Sequence, residues 1–262
     1  MNILVVGGAG YIGGFLTDHL SENGHGVTIY DSLLFEDRFL KECSFIKGDI
    51  RDSSKLNKIV HEYDVVVWLA GMVGDGACQV NPSLTKVVNV DSFLWLVDNY
   101  KGKIIFPSTC SVYGVNNNLI DETAEPNPLS LYAATKLEAE KYVLEHRPDS
   151  LVFRLGTLFG LGDRHSRMRL DLVANILSMR AAKGEELTVF GGDQWRPLLH
   201  VRDVSTAILH GLNNNISGIY NLSYQNFKID GIVDEIKKVI PECKVKYVDM
   251  KFEDLRNYKV KN

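Results

Sequence analysis

Short apolar-rich runs recur along the first half of the chain, at 2–6, 26–30, 44–47, 64–68 and 103–106, and each breaks into Gly, Asp, Leu-Ala-Gly or Pro-Ser-Thr. Runs this short, with little polar alternation, predict strands buried on both faces, as in a parallel sheet. Helical patterns lie between them: one from the glycines at 7–13 to Glu22, one near 53–61, and one from Pro82, a first helical position after Asn81, to about 99. Strands alternating with helices predict an α/β fold, a doubly wound parallel sheet of Rossmann type with ligands at the carboxyl ends of its strands. A further helix rich in Leu, Glu, Ala and Lys opens at Leu131. Beyond Gly160 the alternation loosens, and a helix at 170–182 and a strand at 199–201 precede segments at 219–222, 229–240 and 245–248 that read as a strand-helix-strand annex. The expected division is a dinucleotide-binding domain at 1–160, including the Leu131 helix, and a mainly substrate-binding region at 161–262.

The first strand runs into Gly7-Gly8-Ala9-Gly10-Tyr11-Ile12-Gly13 and then a helix. Glycines at 7, 10 and 13 allow a tight turn, close approach of a pyrophosphate to the helix-start amides, and tight packing of helix on strand. The second strand ends at Asp31, where a carboxylate accepts from an adenosine ribose and repels a 2′-phosphate, so NAD is favoured over NADP.

In the helix opening at Leu131, Tyr132 and Lys136 are four residues apart and share a face. Bringing a tyrosine from about pH 10 to about 7 takes roughly 4 kcal/mol, and one cation about 5 Å away supplies roughly 3 at an effective dielectric of about 20. A second positive charge would complete the shift. Spacing alone proves little, because Tyr224 and Lys228, and Tyr247 and Lys251, are equally spaced in a turn and a strand-like run. The loop 108–114 gives the pair context: it follows a strand end, and its Thr109 hydroxyl is placed to hold a substrate oxygen beside the Tyr132 phenol.

With 262 residues, 45% of them hydrophobic, and a formal charge of −4, the chain suits one large α/β domain with a small annex and gives no basic footprint for nucleic acid. Cys43, Cys78, Cys110 and Cys243 form no Cys-x-x-Cys pair, which argues against structural zinc or a disulfide framework, so no metal is expected. No apolar run approaches the roughly 20 residues of a membrane span, and the chain opens on a strand rather than a leader. A cytoplasmic protein is the expectation.

Taken together, these residues resemble the extended short-chain dehydrogenase/reductases of the NAD-dependent epimerase/dehydratase family. The resemblance runs through the whole chain, on Gly7-x-x-Gly10-x-x-Gly13, Asp31, Gly48-Asp49-Ile50, Leu69-Ala70-Gly71, Asn89, Ser108-Thr109 to Tyr113-Gly114, Tyr132-x-x-x-Lys136, Arg154, and Arg196 with Leu199-His200-Val201. It implies NAD as cofactor, bound by Gly7, Gly10, Tyr11, Ile12, Gly13, Asp31, Leu69, Ala70 and Gly71, with Asp49 and Ile50 at the adenine. Asn89 would order the active-site helix, and Lys136 would hold the nicotinamide ribose while tuning Tyr132. The second positive charge is then the oxidised nicotinamide.

The implied chemistry has Tyr132 removing a proton from a sugar hydroxyl, usually on carbon 4, while hydride passes to NAD and Thr109 steadies the oxygen. The implied partner is a nucleotide-diphosphate sugar, and a homodimer through two sheet-flanking helices is the family expectation. Dehydratases of the family place Asp-Glu after the threonine, where this chain has Cys110 and Ser111, so elimination is disfavoured and a 4-epimerase leads. A 4-dehydrogenase or 4-ketoreductase, and a catalytically silent NAD-binding regulator, are the alternatives. Cys110 reads as a small packed residue. Gly156 and Thr157, where the family has an aromatic residue and Asn, suggest room for a larger hexose, and the loop at 73–78 is expected to cover the same pocket.

The basic stretch 164–169 supplies Arg167 and Arg169 as candidates for the substrate diphosphate, with Arg196 the stronger one; Thr157 is placed at the sugar. His200 reads as support for its strand and Asp203 as a helix start. Leu255 to Val260 resembles a family segment that normally runs into another helix, so the end at Asn262 suggests an incomplete chain, with Arg256 reaching the nucleotide.

Overall fold

The computed structural model of the protein describes residues 1–249 and 256–261. In chain order its elements are β1 (Asn2–Val6), α1 (Tyr11–Glu22), β2 (Gly26–Asp31), β3 (Ser44–Lys47), α2 (Ser53–Asn57), β4 (Val65–Trp68), α3 (Asp75–Val80), α4 (Pro82–Lys86), α5 (Ser92–Asn99), β5 (Lys103–Thr109), β6 (Val115–Ile120) and α6 (Leu131–His146). There follow β7 (Leu151–Leu155), β8 (Thr157–Phe159), α7 (Val173–Ala182), β9 (Leu187–Phe190), β10 (Trp195–His200), α8 (Val201–Asn213), β11 (Gly218–Leu222), β12 (Gln225–Lys228), α9 (Ile229–Val239), β13 (Val245–Val248) and β14 (Asn257–Val260).

Seven parallel strands form the central sheet in the order β11-β7-β5-β4-β1-β2-β3. Successive residues of β1 feed opposite cores. Ile3 and Val5 pack with Leu16 and Leu20 of α1 and with Val204, Ile208 and Leu212 of α8. Leu4 and Val6 pack on the other face with Trp68, Phe93, Leu96 and Phe106. The chain reverses direction across the sheet at β1, with β2 on one side and β4 on the other, and this switch point opens a crevice at the strand ends.

The helix expected at 82–99 is present but interrupted: Val87–Asp91 forms a π-turn between α4 and α5. Such wide turns displace one residue from the helical register. Here the turn contains Asn89, which is buried. Helix α6 is capped by Ser130, whose Oγ accepts from Ala133 N at 3.2 Å.

The annex differs from expectation. Residues 219–222 belong to β11, which joins the central sheet beside β7 rather than the annex. Before it, α8 has already returned across the sheet to cover α1. A division at 160 therefore does not separate two contiguous halves, since β8 pairs with β10 of the annex while β11 closes the first sheet. The annex itself consists of β8-β10-β12, the β9-β13 pair, and α7 and α9 around their own core. The helix expected at 170–182 begins only at Val173, and the basic stretch before it is a loop. Strand β14 pairs with β6 and buries Tyr258 and Val260 against Val112 and Tyr113, drawing the end of the chain under the loop after β5. No helix among the described residues is long and apolar enough to cross a membrane.

Candidate active site

A cleft of about 1020 Å³ separates the carboxyl edge of the central sheet from the annex. Ile12 and Leu69 line one wall, Thr109, Tyr132 and Lys136 the floor, and Thr157, Arg167, Arg169, Arg196 and Arg256 the opposite side.

The glycine turn sits at the switch point and has room only for bare backbone. Gly7 has φ +81°, and a Cβ there would stand 2.4 Å from Ala70 N. A Cβ on Gly13 would stand 2.2 Å from the Gly8 carbonyl oxygen. Helix α1 starts at this point on Gly10 without a side-chain cap, which leaves its first amides facing a cradle suited to a pyrophosphate. Asp31 closes the end of β2: its Oδ2 accepts from Ala9 N at 3.0 Å and its Oδ1 from Leu33 N at 2.8 Å. The carboxylate is thereby fixed beside the turn. Leu69 and Ala70 follow β4, with Ala70 N bonded to Val6 O at 2.9 Å.

Asp49 and Ile50 lie farther out. The Asp49 carboxylate is bound by Arg51 at 2.5 to 3.0 Å, and this hydrogen bonding holds its acid below the usual range, so the carboxylate expected at the adenine already has an arginine partner. Half-buried Ile50 packs against the α5 and α6 core. Asn89 acts at one remove. Its Oδ1 accepts from Met72 N at 2.7 Å, while its Nδ2 donates to Met72 O at 3.0 Å and to Thr135 Oγ1 at 3.2 Å. It ties the strand-end segment after β4 to α6 between Tyr132 and Lys136.

On the floor, Ser111 N donates to Thr109 Oγ1 at 3.1 Å, which leaves the Thr109 proton free to point into the cleft that Tyr132 also lines. Lys136 is buried, with Nζ 3.8 Å from the centroid of the Phe106 ring. Burial pushes the Tyr132 phenol up to about 12, against the opposing pull of Arg169 and of the Thr109 hydrogen bond. Burial pushes the Lys136 ammonium down to about 7, against the charge of Glu140. The cation that opposes desolvation of the Tyr132 phenol is Arg169 from the facing loop, and burial outweighs it.

Below the floor lies a buried polar network. Glu140, one turn beyond Lys136, accepts from Ser108 Oγ at 2.7 Å and pairs with Arg154 at 2.6 Å. Arg154 also donates to Tyr113 Oη at 2.7 Å, and Tyr113 donates to Asn221 Oδ1 at 2.8 Å. Arg154 is thus structural, and its partner Glu140 was missed, although its spacing of four from Lys136 was a readable signal. Cys110 is fully buried with Sγ 3.1 Å from Arg154 O, and burial raises its thiol pKa, in keeping with a packed residue.

The substrate side is partly as expected. Thr157 is half-buried on the cleft wall. Gly156 makes no room for a larger sugar: a Cβ there would meet Pro197 O at 2.7 Å, so its small size serves packing against β10. Arg167 stacks on Phe35, 3.6 Å from the ring centroid, and Arg169 is paired with Asp171 at 2.6 Å. Arg196 is buried and donates to the carbonyls of Trp195 and Arg256. Sequence reasoning missed Lys41, whose buried ammonium joins Asp18 at 2.6 Å, Asp163 at 3.1 Å and Gly14 O at 2.7 Å, pinning the 161–172 loop over α1. It also missed Asn175, which holds Gly160 N, Arg169 O and the Tyr11 hydroxyl.

His200 caps α8, accepting from Arg202 N at 3.3 Å, and Asp203 lies in the first turn. Tyr224 and Tyr247 are exposed at the surface, Lys228 pairs with Asp193, and Lys251 lies outside the described residues, as does Leu255.

A phosphate-accepting switch-point turn beside a Tyr-Lys pair and a hydroxyl defines a Rossmann-type dinucleotide enzyme of the short-chain dehydrogenase/reductase class. The chain belongs to the NAD dependent epimerase/dehydratase family, whose model matches residues 3–223. It is similar to the UDP-glucose 4-epimerase of Streptomyces lividans, 27% identical over 91% of this chain and 82% of the relative. It is also similar to UDP-glucuronic acid decarboxylase 1 of Danio rerio, 29% identical over 84% of this chain and 56% of the relative. Among solved structures, the UDP-glucose 4-epimerase of Thermotoga maritima with UDP-glucose superposes with a TM-score of 0.88, at 26% identity and over 100% of this chain and 90% of that one. The cofactor is NAD.

Proposed function

We propose that the protein is an NAD-dependent epimerase that inverts carbon 4 of the hexose in a UDP-sugar. The observation that supports this most strongly is the floor of the cleft, where Thr109, Tyr132 and Lys136 come together and no carboxylate follows the threonine. Gly7, Gly10, Tyr11, Ile12, Gly13, Asp31, Leu69, Ala70, Gly71 and Lys136 would hold NAD, which supplies a reversible hydride acceptor and a positive charge when bound.

Tyr132 takes the proton of the carbon-4 hydroxyl and later returns it, while Thr109 donates to the same oxygen and keeps it in reach. An added cation favours the tyrosinate that burial disfavours. Arg167, Arg169, Arg196 and Thr157 hold the diphosphate and the sugar. Elimination of water has no acid in place: the residue after Thr109 is Cys110, whose Sγ faces Arg154 O inside the core.

Four unpaired cysteines fit the expected cytoplasmic setting. The homodimer reading places the contact on two helices flanking the sheet, for which α5 and α6, joined by the Tyr142 hydroxyl donating to Asp98 at 2.8 Å, are the candidates.

Incubation with NAD and UDP-glucose should yield the carbon-4 epimer with no lasting rise in reduced-nicotinamide absorbance. Accumulated reduced cofactor with a keto sugar, or no change in any UDP-hexose, would exclude the epimerase reading.

A further inference from the structure

Asp75 opens α3 at the mouth of the cleft, in the loop expected to cover the pocket. Its Oδ2 lies 3.3 Å from Arg256 Nη2, and Arg256 Nη1 donates to Ser111 Oγ at 3.0 Å. Ser111 in turn holds Thr109 through its backbone amide and stands 3.4 Å from the Tyr258 hydroxyl. Asp75, Arg256, Ser111, Thr109 and Tyr132 thereby line one compartment, drawn from α3, the chain end, the loop after β5 and α6. The charge of Asp75 is felt at the Tyr132 phenol.

One atom of this compartment is left unsatisfied. Asp75 Oδ1 is buried and has no hydrogen-bond partner among the described residues. A buried carboxylate oxygen without a donor is unfavourable, and a ligand hydroxyl brought to it would relieve that cost. Arg256 is already engaged by Asp75, so the carboxylate of a hexuronate brought against Asp75 would meet a like charge whose own counter-ion is taken.

We propose that Asp75, braced by Arg256, is a specificity-determining residue that accepts a hydrogen bond from a hydroxyl of a neutral hexose and turns away hexuronates. This rests on the reading of the cleft as a UDP-sugar site, and it selects among sugars for which that reading makes no distinction. The same geometry makes Arg256 a positioning residue, holding Asp75 against the loop that orients Thr109.

The test is calorimetric titration of the NAD-loaded protein with UDP-glucose and with UDP-glucuronic acid, for wild type, Asp75→Asn and Asp75→Ala. Like charges brought together in a partly enclosed cleft are disfavoured, so wild type should bind UDP-glucose at least about 30-fold more tightly, and Asp75→Asn should narrow that ratio by about tenfold or more, mainly by gaining the uronate. Asp75→Ala should lose UDP-glucose affinity while also tolerating the uronate. Equal or tighter binding of the uronate by wild type, or a ratio unmoved in Asp75→Asn, would overturn the assignment. Should one variant fail to retain NAD, the change of ratio in the other decides. A ratio that narrows in the Asp75 variants, in a protein that does not invert UDP-glucose, would support the Asp75 assignment and overturn the epimerase reading.

Discussion

Replacing Lys136 by Met tests the electrostatics of the floor in the absence of nucleotide. Lys136 is only 9% exposed, and burial brings its ammonium from 10.5 down to about 7. Between those two values the unfolded chain holds a proton that the native state has released. Stability therefore rises with pH across this window, and the full penalty applies below it. At about 1.4 kcal/mol per pH unit, the native state carries a cost of about 5 kcal/mol at about pH 6, of which about 2 kcal/mol remains at about pH 9. Lys136→Met has no such titration. Any packing gain or loss from the methionine is independent of pH, so the informative quantity is the change in the stability gap between variant and wild type. The variant should gain about 3 kcal/mol more at about pH 6 than at about pH 9, a difference of roughly 5 to 10 °C in the melting-temperature gap for a chain of this size. Thermal melts of nucleotide-free protein in matched buffers read it directly, and the same variant should lose turnover. Parallel pH curves for the two proteins would refute the reasoning, because they would mean that Lys136 stays charged and solvated in the native state.

Gly7→Ala places a methyl group 2.4 Å from Ala70 N at a positive φ, so it should lower stability by about 1 to 3 kcal/mol and weaken NAD binding at least about tenfold; unchanged affinity in a calorimetric titration would remove the turn from the cofactor site. Glu140→Gln leaves the buried Arg154 without its counter-charge and should cost about 3 to 5 kcal/mol in urea denaturation. A loss under about 1 kcal/mol would show that the Tyr113 hydroxyl and the Glu122 carbonyl suffice to stabilise that guanidinium.

Much of the fold was legible because a parallel sheet demands it. Strands β1, β4 and β5 are buried on both faces, and their apolar runs stand out between helices. The glycine turn, Asp31 and the Tyr132 helix were legible because their chemistry constrains residue type at each position. The placement of β11 was not, since a short run such as 219–222 states that it is a strand without stating which edge receives it. That edge was decided by α8, which crosses back to cover the first core. Strand β8 has only three residues, too few for periodicity to register. Charges were the other blind spot. Spacing shows that Tyr132 and Lys136 share a face, but the cost of burying both depends on Phe106 and the loops that close the floor, which come from distant parts of the chain. Lys41 was hidden for the same reason, as its partners Asp18 and Asp163 meet only when the 161–172 loop folds over α1.

Proton transfer by Tyr132 is the claim on which the proposed chemistry depends, and Tyr132→Phe isolates it because the substitution removes one oxygen and leaves the ring in place. Conversion of UDP-glucose to its carbon-4 epimer should fall by about a thousandfold, within the range for loss of a general acid-base, while calorimetric NAD affinity stays within about twofold of wild type. Turnover by Tyr132→Phe at a rate close to that of wild type would contradict the account.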